Sequence, residues 1–242
     1  MQTMQTMQIS QIYLCNDAEV LPPILSHFSK TVEDAFPEDS HVVYYKNSMR
    51  QFIDDHFDQE ILSAYDSVRP YSYKSNLGRL CLLYVLGGWY FDIGVRAINH
   101  VKLAPDISFF AFRDGSPYAR VTWTCMDAIL FSKKHNPLLK NAIEKIVWNC
   151  KNRYYGITPL CPTGPSLLGS VLAAYGGQED FIYGDILELT PSRVQKNRAF
   201  VLPDGTILAW LKPTQGGDLK SLRGEGVNNY NELWNSRAVY VD

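Results

Sequence analysis

In the stretch KSNLGRLCLLYVLGGWYFDIG, residues 74–94, three side chains stand where chemistry could be done: Asn76, Arg79 and Asp92. Asn76 and Arg79 are three apart, so on a helix they share one side. Asp92 ends the aromatic run Trp89-Tyr90-Phe91, and a carboxylate there has two readings. It can close a turn with Ile93 and Gly94. It can also hold a divalent cation against a nucleotide's phosphates, which lowers the cost of releasing a diphosphate. The plain reading of Arg79 is a solvated helix charge.

The elements around these residues say where they would stand. Leu77, Leu80, Cys81 and Tyr84 fall on one helical face, Ser75 is a candidate N-cap, and Gly87 sits where a left-handed residue ends a helix. The segment WYFD then reads as a strand without alternation, as expected when both faces are covered. Upstream, QIYLC (Gln11 to Cys15) and HVVYY (His41 to Tyr45) read as strands, joined by a helix entered through Pro22-Pro23, and 49–62 reads as one amphipathic helix. Alternating strands and helices predict a mostly parallel α/β sheet flanked by helices, whose ligands bind beyond the carboxyl ends of the strands. Asp92 is at such an end.

Downstream, ISFFAF and AILFS read as strands, and NPLLKNAIEKIVWNC and GPSLLGSVLAAYG as helices, the second closed by Gly176. FVLPDGTILAW reads as a hairpin around Pro203-Asp204-Gly205. The final GEGVNNYNELWNSRAVYVD, residues 224–242, is polar and glycine-bearing, and 216–242 is expected to form a loop or lid. Nothing marks a linker, so 1–242 is expected to form a single domain, with 1–8 (MQTMQTMQ) a frayed end.

With 46% hydrophobic and 20% charged residues and a net charge of −2, the chain has no basic field for nucleic acid, and a small or neutral partner is expected. The five cysteines, Cys15, Cys81, Cys125, Cys150 and Cys161, are odd in number and widely spaced, which suits reduced thiols in a cytosol. The longest apolar run is interrupted by Gly87-Gly88 and falls short of the about 20 residues that cross a bilayer. There is no P-loop, HExxH or GxSxG. The glycines at 224 and 226 read as ordinary loop, and Asp58 to Glu60 as a solvated helix face.

The pattern S-N-x-x-R followed by L-L-Y-x-L-G-G-W-Y-F-D resembles the signature SDxxRxxxLxxxGGxYxDxD of the DXD-motif sugar-nucleotide glycosyltransferases. That family includes yeast initiating α-mannosyltransferases, the catalytic domains of large clostridial toxins, and small bacterial capsule and lipopolysaccharide transferases. YYKNSMRQFIDDHF, MDAILFSKKHNPLL and the triplet Thr163-Gly164-Pro165 are similar to further family segments. The resemblance implies a GT-A-like fold and retaining transfer of a hexose from a nucleotide-diphospho-sugar, UDP-sugar before GDP-mannose, to a saccharide or lipid-linked glycan. It implies capsule or lipopolysaccharide assembly, in the cytoplasm at the inner face of the membrane, with peripheral membrane contact allowed, and Mn²⁺ or Mg²⁺ as cofactor. Asp92 and Arg79 would be catalytic. Leu14, Tyr45, Ser75, Asn76, Arg79, Tyr90, Phe91, Asp92 and Trp234 would bind donor. Asp127, Thr163, Gly164 and Pro165 would face the acceptor, and Asp92, Asn231 and Glu232 would hold metal, the last two from a C-terminal loop that closes Trp234 over the diphosphate.

Two positions depart from the signature: the second motif Asp is Gly94, and the helix Asp is Asn76. An Asp at 94 would point to the side of Asp92 if the chain there is extended. A non-catalytic nucleotide-sugar or glycan-binding relative is therefore the competing expectation. A nucleotidyltransferase is the third.

Overall fold

The computed structural model describes residues 6–15, 19–115, 121–175, 178–189, 198–211 and 229–241. The first half runs β1 (Gln8–Ile12), α1 (Pro23–Ala35), β2 (Ser40–Tyr44), α2 (Lys46–His56), α3 (Gln59–Ser67), α4 (Tyr71–Leu86) and β3 (Gly88–Phe91). Then follow β4 (Arg96–Ala97), β5 (Phe109–Arg113), β6 (Cys125–Ser132), α5 (Pro137–Lys151), α6 (Pro165–Tyr175), β7 (Phe181–Glu188), β8 (Arg198–Val201), β9 (Ile207–Trp210) and α7 (Tyr230–Asn235).

These strands form one sheet in the order β2-β1-β3-β6-β5-β7-β8-β9-β4. The α/β class holds, but the sheet is mixed rather than mostly parallel: β1 is parallel to β2 and β3, and β5 to β7, while every other neighbouring pair is antiparallel. The parallel pairs β1–β2 and β1–β3 coincide with the helical crossovers at the start of the chain, and β5 and β7 are joined by a longer crossover through β6, α5 and α6. Beyond β3 the chain passes to β4 at the far edge, and β6 enters beside β3 directly from its antiparallel neighbour β5.

Two glycines let α4 turn straight into β3. Gly87 has φ +63° and donates its N–H to Leu83 O at 2.9 Å, a left-handed helix stop. Gly88 has φ +83°, and a Cβ there would lie 2.2 Å from Gln8 O, so only glycine lets β3 come in beside β1. Side chains of β3 then alternate. Tyr90 joins the core under α2–α6, whereas Trp89 and Phe91 join Phe36, Phe110 and Phe131 on the opposite face.

Several elements differ from the sequence reading. The single helix expected over 49–62 is two, because the Asp58 carboxylate accepts from the N–H groups of Glu60 at 3.0 Å and Ile61 at 3.1 Å and so starts α3 afresh. Asp58 is thus a cap rather than a solvated mid-helix charge. α4 begins at Tyr71 behind Pro70, which places Ser75 inside the helix rather than at its cap. β1 starts at Gln8, paired with Ser40, so residue 8 is strand rather than part of the frayed end expected over 1–8, of which residues 1–5 lie outside the described residues. The β8–β9 hairpin forms around Gly205, φ +88°.

The C-terminal end is not a loose loop. Val239 and Tyr240 are buried in the core, Val239 O accepts from Arg69 N at 2.7 Å, and Val241 N donates to Ser67 O at 2.7 Å. Apolar Ala-Val-Tyr-Val has more to gain from burial than a polar lid would. Gly176, the glycines at 224 and 226, and the stretch 212–228 lie outside the described residues.

Candidate active site

The centre of the site is a buried arginine between two carboxylates. α4 delivers Arg79, 3% exposed, under the ends of β3 and β6. Its Nη2 lies 3.1 Å from Asp92 Oδ1, its Nη1 3.2 Å from Asp127 Oδ1 and 2.5 Å from Asp127 O, and its Nε donates to Ser75 O at 3.2 Å. The guanidinium lies over the Tyr90 ring at 4.6 Å, and the Tyr90 hydroxyl donates to Asp92 Oδ1 at 2.8 Å. Arg79 is therefore not the solvated helix charge of its plain reading. The helix face that carries it is packed on the sheet, and a buried guanidinium requires such partners.

The two carboxylates are unlike. The Asp127 side chain is 10% exposed, whereas the Asp92 side chain is 33% exposed. Burial pushes the Asp127 carboxyl up to about 6, against the pull of Arg79 and with help from the Asp92 charge. Burial opposes the charge on Arg79, but Asp127 and then Asp92 outweigh it and raise its pKa. Burial also raises the Tyr90 hydroxyl well above its ordinary value. Asp92 Oδ1 is occupied by Arg79 and Tyr90, which leaves Oδ2 for a ligand.

Asn76 lies one turn before Arg79 on α4, and its Nδ2 donates to Thr163 Oγ1 at 3.1 Å. A Cβ on Gly164 would meet that same Nδ2 at 3.0 Å, and Pro165 opens α6 at this point. Thr163, Gly164 and Pro165 are therefore brought to α4 beside Asn76. Leu14 and Tyr45 follow the carboxyl ends of β1 and β2; Leu14 is in the core, and the Tyr45 ring meets Tyr13 edge-on at 6.4 Å. Phe91 is not at the site, since strand alternation turns it into the opposite core, fully buried against Phe36 and Trp89.

The α7 residues have local duties. Asn229 caps the helix, its Oδ1 accepting from Asn231 N at 3.0 Å and its Nδ2 donating to Glu232 Oε1 at 3.2 Å. The Trp234 indole N–H donates to Tyr155 O at 2.9 Å, and Arg237 lies over both rings. α7 reaches the site instead through Tyr230, whose ring meets Tyr73 of α4 at 6.0 Å. Burial and then the Asp127 charge push its hydroxyl up to about 12.

Sequence reasoning missed Tyr230 and the link from Asp127 to Arg79. The signal for the second was present: an aspartate inside the apolar run CMDAILFS of β6 needs a buried partner.

Among the described residues no three His, Cys, Asp or Glu side chains come together to hold a metal. The turn after β3 also separates Gly94 from Asp92: Val95 N donates to Asp92 O at 3.0 Å, so 92–95 is a closed turn and not the extended chain that would align the two positions. One available carboxylate oxygen does not make a resident metal cage. It does suit an ion that arrives on a diphosphate, because Mg²⁺ keeps several waters and takes only one or two carboxylates besides phosphate oxygens.

The mixed α/β fold, with a carboxylate at the end of β3 and a helix-borne arginine behind it, is similar to that of GT-A-type glycosyltransferase domains. A family model described as a glycosyltransferase sugar-binding region containing a DXD motif matches residues 23–111, which run from α1 into β5 and contain Arg79 and Asp92. Among solved structures, the PaToxG glycosyltransferase is 15% identical at TM-score 0.55, over 71% of this chain and 70% of that one. The UDP-bound glycosyltransferase domain of the YGT toxin is 9% identical at TM-score 0.53, over 74% and 79%. The ligand-free form of that domain is 10% identical at TM-score 0.51, over 70% and 77%. No curated protein sequence matches the chain. Among the described residues no helix is long and apolar enough to cross a membrane.

Proposed function

We propose that this chain is a retaining glycosyltransferase that moves a hexose from a nucleotide-diphospho-sugar, a UDP-sugar ahead of GDP-mannose, to a saccharide or lipid-linked glycan. The observation that carries the reading is Asp92 at the end of β3, held through Oδ1 by buried Arg79 and Tyr90 with its side chain one-third exposed, within the region matched by the sugar-binding family model. The UDP in a toxin domain of similar fold supports UDP-sugars as the first donors to test. Asp92 Oδ2 would hold Mn²⁺ or Mg²⁺ carried in on the donor; when bound, the ion offsets the charge of the departing diphosphate. Asn76, Thr163 and Gly164 would border the sugar, and Tyr230 would close the acceptor side over Asp127. Retention through front-face attack needs no pair of carboxylates spaced as in a glycosidase, because the leaving phosphate can take the acceptor's proton. Assembly of a capsule or lipopolysaccharide glycan at the cytoplasmic face of a membrane is the setting this chemistry fits.

The test is a melting-temperature panel of UDP- and GDP-sugars with and without MnCl₂, followed by donor hydrolysis, since a ligand that binds the folded state alone raises Tm. One UDP-sugar should raise Tm and be consumed. A second reading, a binding module that leaves the donor intact, is favoured by Gly94 at the second motif position. A donor that raises Tm and is recovered unchanged, with every acceptor tried, would establish it.

A further inference from the structure

Arg79 meets Asp127 through Nη1, the terminal nitrogen not used for Asp92, at both the carboxylate and the backbone carbonyl of one residue. Two contacts from a strand interior fix the plane of the guanidinium far better than one contact from a mobile side chain. The fixed plane, with Tyr90 lying against it, then determines which way Asp92 Oδ1 must turn. Asp127 itself is nearly closed to solvent, so a ligand reaches Asp92 much more readily than Asp127. We infer that Asp127 is a positioning residue, which locks Arg79 from β6 so that Arg79 and Tyr90 hold Asp92 with Oδ2 turned outward. This assignment replaces direct contact with the acceptor as the role of Asp127, and direct donor binding as the main role of Arg79. It rests on the reading of Asp92 as the residue that meets the donor.

The groups that face Asp127 are Arg79 on α4, Tyr90 and Asp92 on β3 and its following turn, and Tyr230 on α7. Arg79 is the positive one among them. If Asp127 holds it, removal of Arg79 strands two carboxylates in the wild type but only one where Asp127 is already neutral.

The experiment is a cycle of Asp127→Asn, Arg79→Met and the double variant, read by melting temperature and by hydrolysis of a UDP-sugar with MnCl₂. Breaking a buried pair from one side is costly, so Arg79→Met should lower Tm by about 6–20 °C in the wild type. In the Asp127→Asn background the fall should be less than about half of that, a non-additivity expected of direct partners. Asp127→Asn alone should lower kcat about tenfold or more with KM within about threefold, because Asp92 is misaimed rather than removed. Additive Tm losses would overturn the inference whatever the activity. If Arg79→Met does not fold, wild-type kcat in Asp127→Asn would overturn it instead. A wild-type protein that consumes no donor would sink the transferase reading and leave the Tm cycle to decide the placement of Asp127.

Discussion

The Tyr90 hydroxyl donates to Asp92 Oδ1 across 2.8 Å, from a ring that lies against the Arg79 guanidinium at 4.6 Å. One tyrosine thus supports both charged members of the site, its edge through a hydrogen bond and its face through a cation–π contact. Replacement by Phe keeps the face and removes the hydroxyl. A hydrogen bond to a charged group contributes about 1.5–3 kcal/mol, and Arg79 remains to hold Asp92, so Tyr90→Phe should cost stability at the low end of that range. Donor turnover should fall more clearly than Tm. Wild-type turnover in this variant would show that Arg79 alone sets the Asp92 rotamer.

Asp92→Asn is the direct test of the site. The amide fits the same space and its carbonyl oxygen still accepts from Arg79 and Tyr90, while Asp127 keeps Arg79 neutralised. The fold should therefore survive with Tm changed by only a few degrees. Transfer and donor hydrolysis should be lost, because the remaining outward group no longer carries the charge that a diphosphate-bound ion requires. An Asp92→Asn protein that turns over donor normally would return Asp92 to the role of a turn residue.

The α4–β3 unit was legible because its determinants are local. An apolar helical face, two glycines at the stop and an aromatic run all lie within the 74–94 stretch, and the strand end they place is where Asp92 stands. What was not legible depends on partners far along the chain. Asp127 meets Arg79 across 48 residues of sequence, and only the antiparallel register of β6 against β3 brings it there. Strand direction is likewise absent from a hydrophobic pattern, which reads the same both ways, so the sheet was expected to be mostly parallel and is mixed. At 239–241 composition misled, because a short apolar stretch behind a polar one reads as a tail until Ser67 and Arg69 are seen to receive it.

Asp127 makes the site sensitive to acid. Its carboxyl is pushed from an ordinary 3.8 up to about 6 by burial, with Asp92 adding to the shift and Arg79 opposing it. The folded protein therefore binds this proton more tightly than the unfolded chain does. The sign follows from linkage: this group's contribution to stability falls as pH rises from about 4 to about 6, by roughly 2–3 kcal/mol, and recovers as pH is lowered. Asn at 127 does not titrate. The difference in Tm between wild type and Asp127→Asn should move in favour of the wild type as pH drops from 7 to 4, even though both proteins weaken as other carboxylates protonate. Activity should move the other way, with wild-type turnover declining below about pH 6 as Arg79 loses the ionised partner that holds it. A Tm difference that is flat over this range would mean that Asp127 titrates as an ordinary carboxylate.

Gly94 is where a carboxylate is missing from the signature, and restoring it is the obvious experiment. The turn geometry argues that restoration fails. Asp92 and position 94 would share a side only on extended chain, whereas the hydrogen bond from Val95 N to Asp92 O closes 92–95 into a turn. Gly94 is buried there, between buried Ile93 and Val95. Its backbone is not among the positive-φ glycines, so the expected cost of Gly94→Asp is not conformational but that of placing a charge in a closed turn. Leaving such a group poorly solvated costs about 1–3 kcal/mol, which for a chain of this size lowers Tm by roughly 2–12 °C. The Mn²⁺ dependence of donor binding, measured by Tm titration in both proteins, should be unchanged or weaker in the variant. If Mn²⁺ binds about tenfold tighter or better in Gly94→Asp, then the turn opens to let the two carboxylates meet, and the single-oxygen account of metal at Asp92 is wrong.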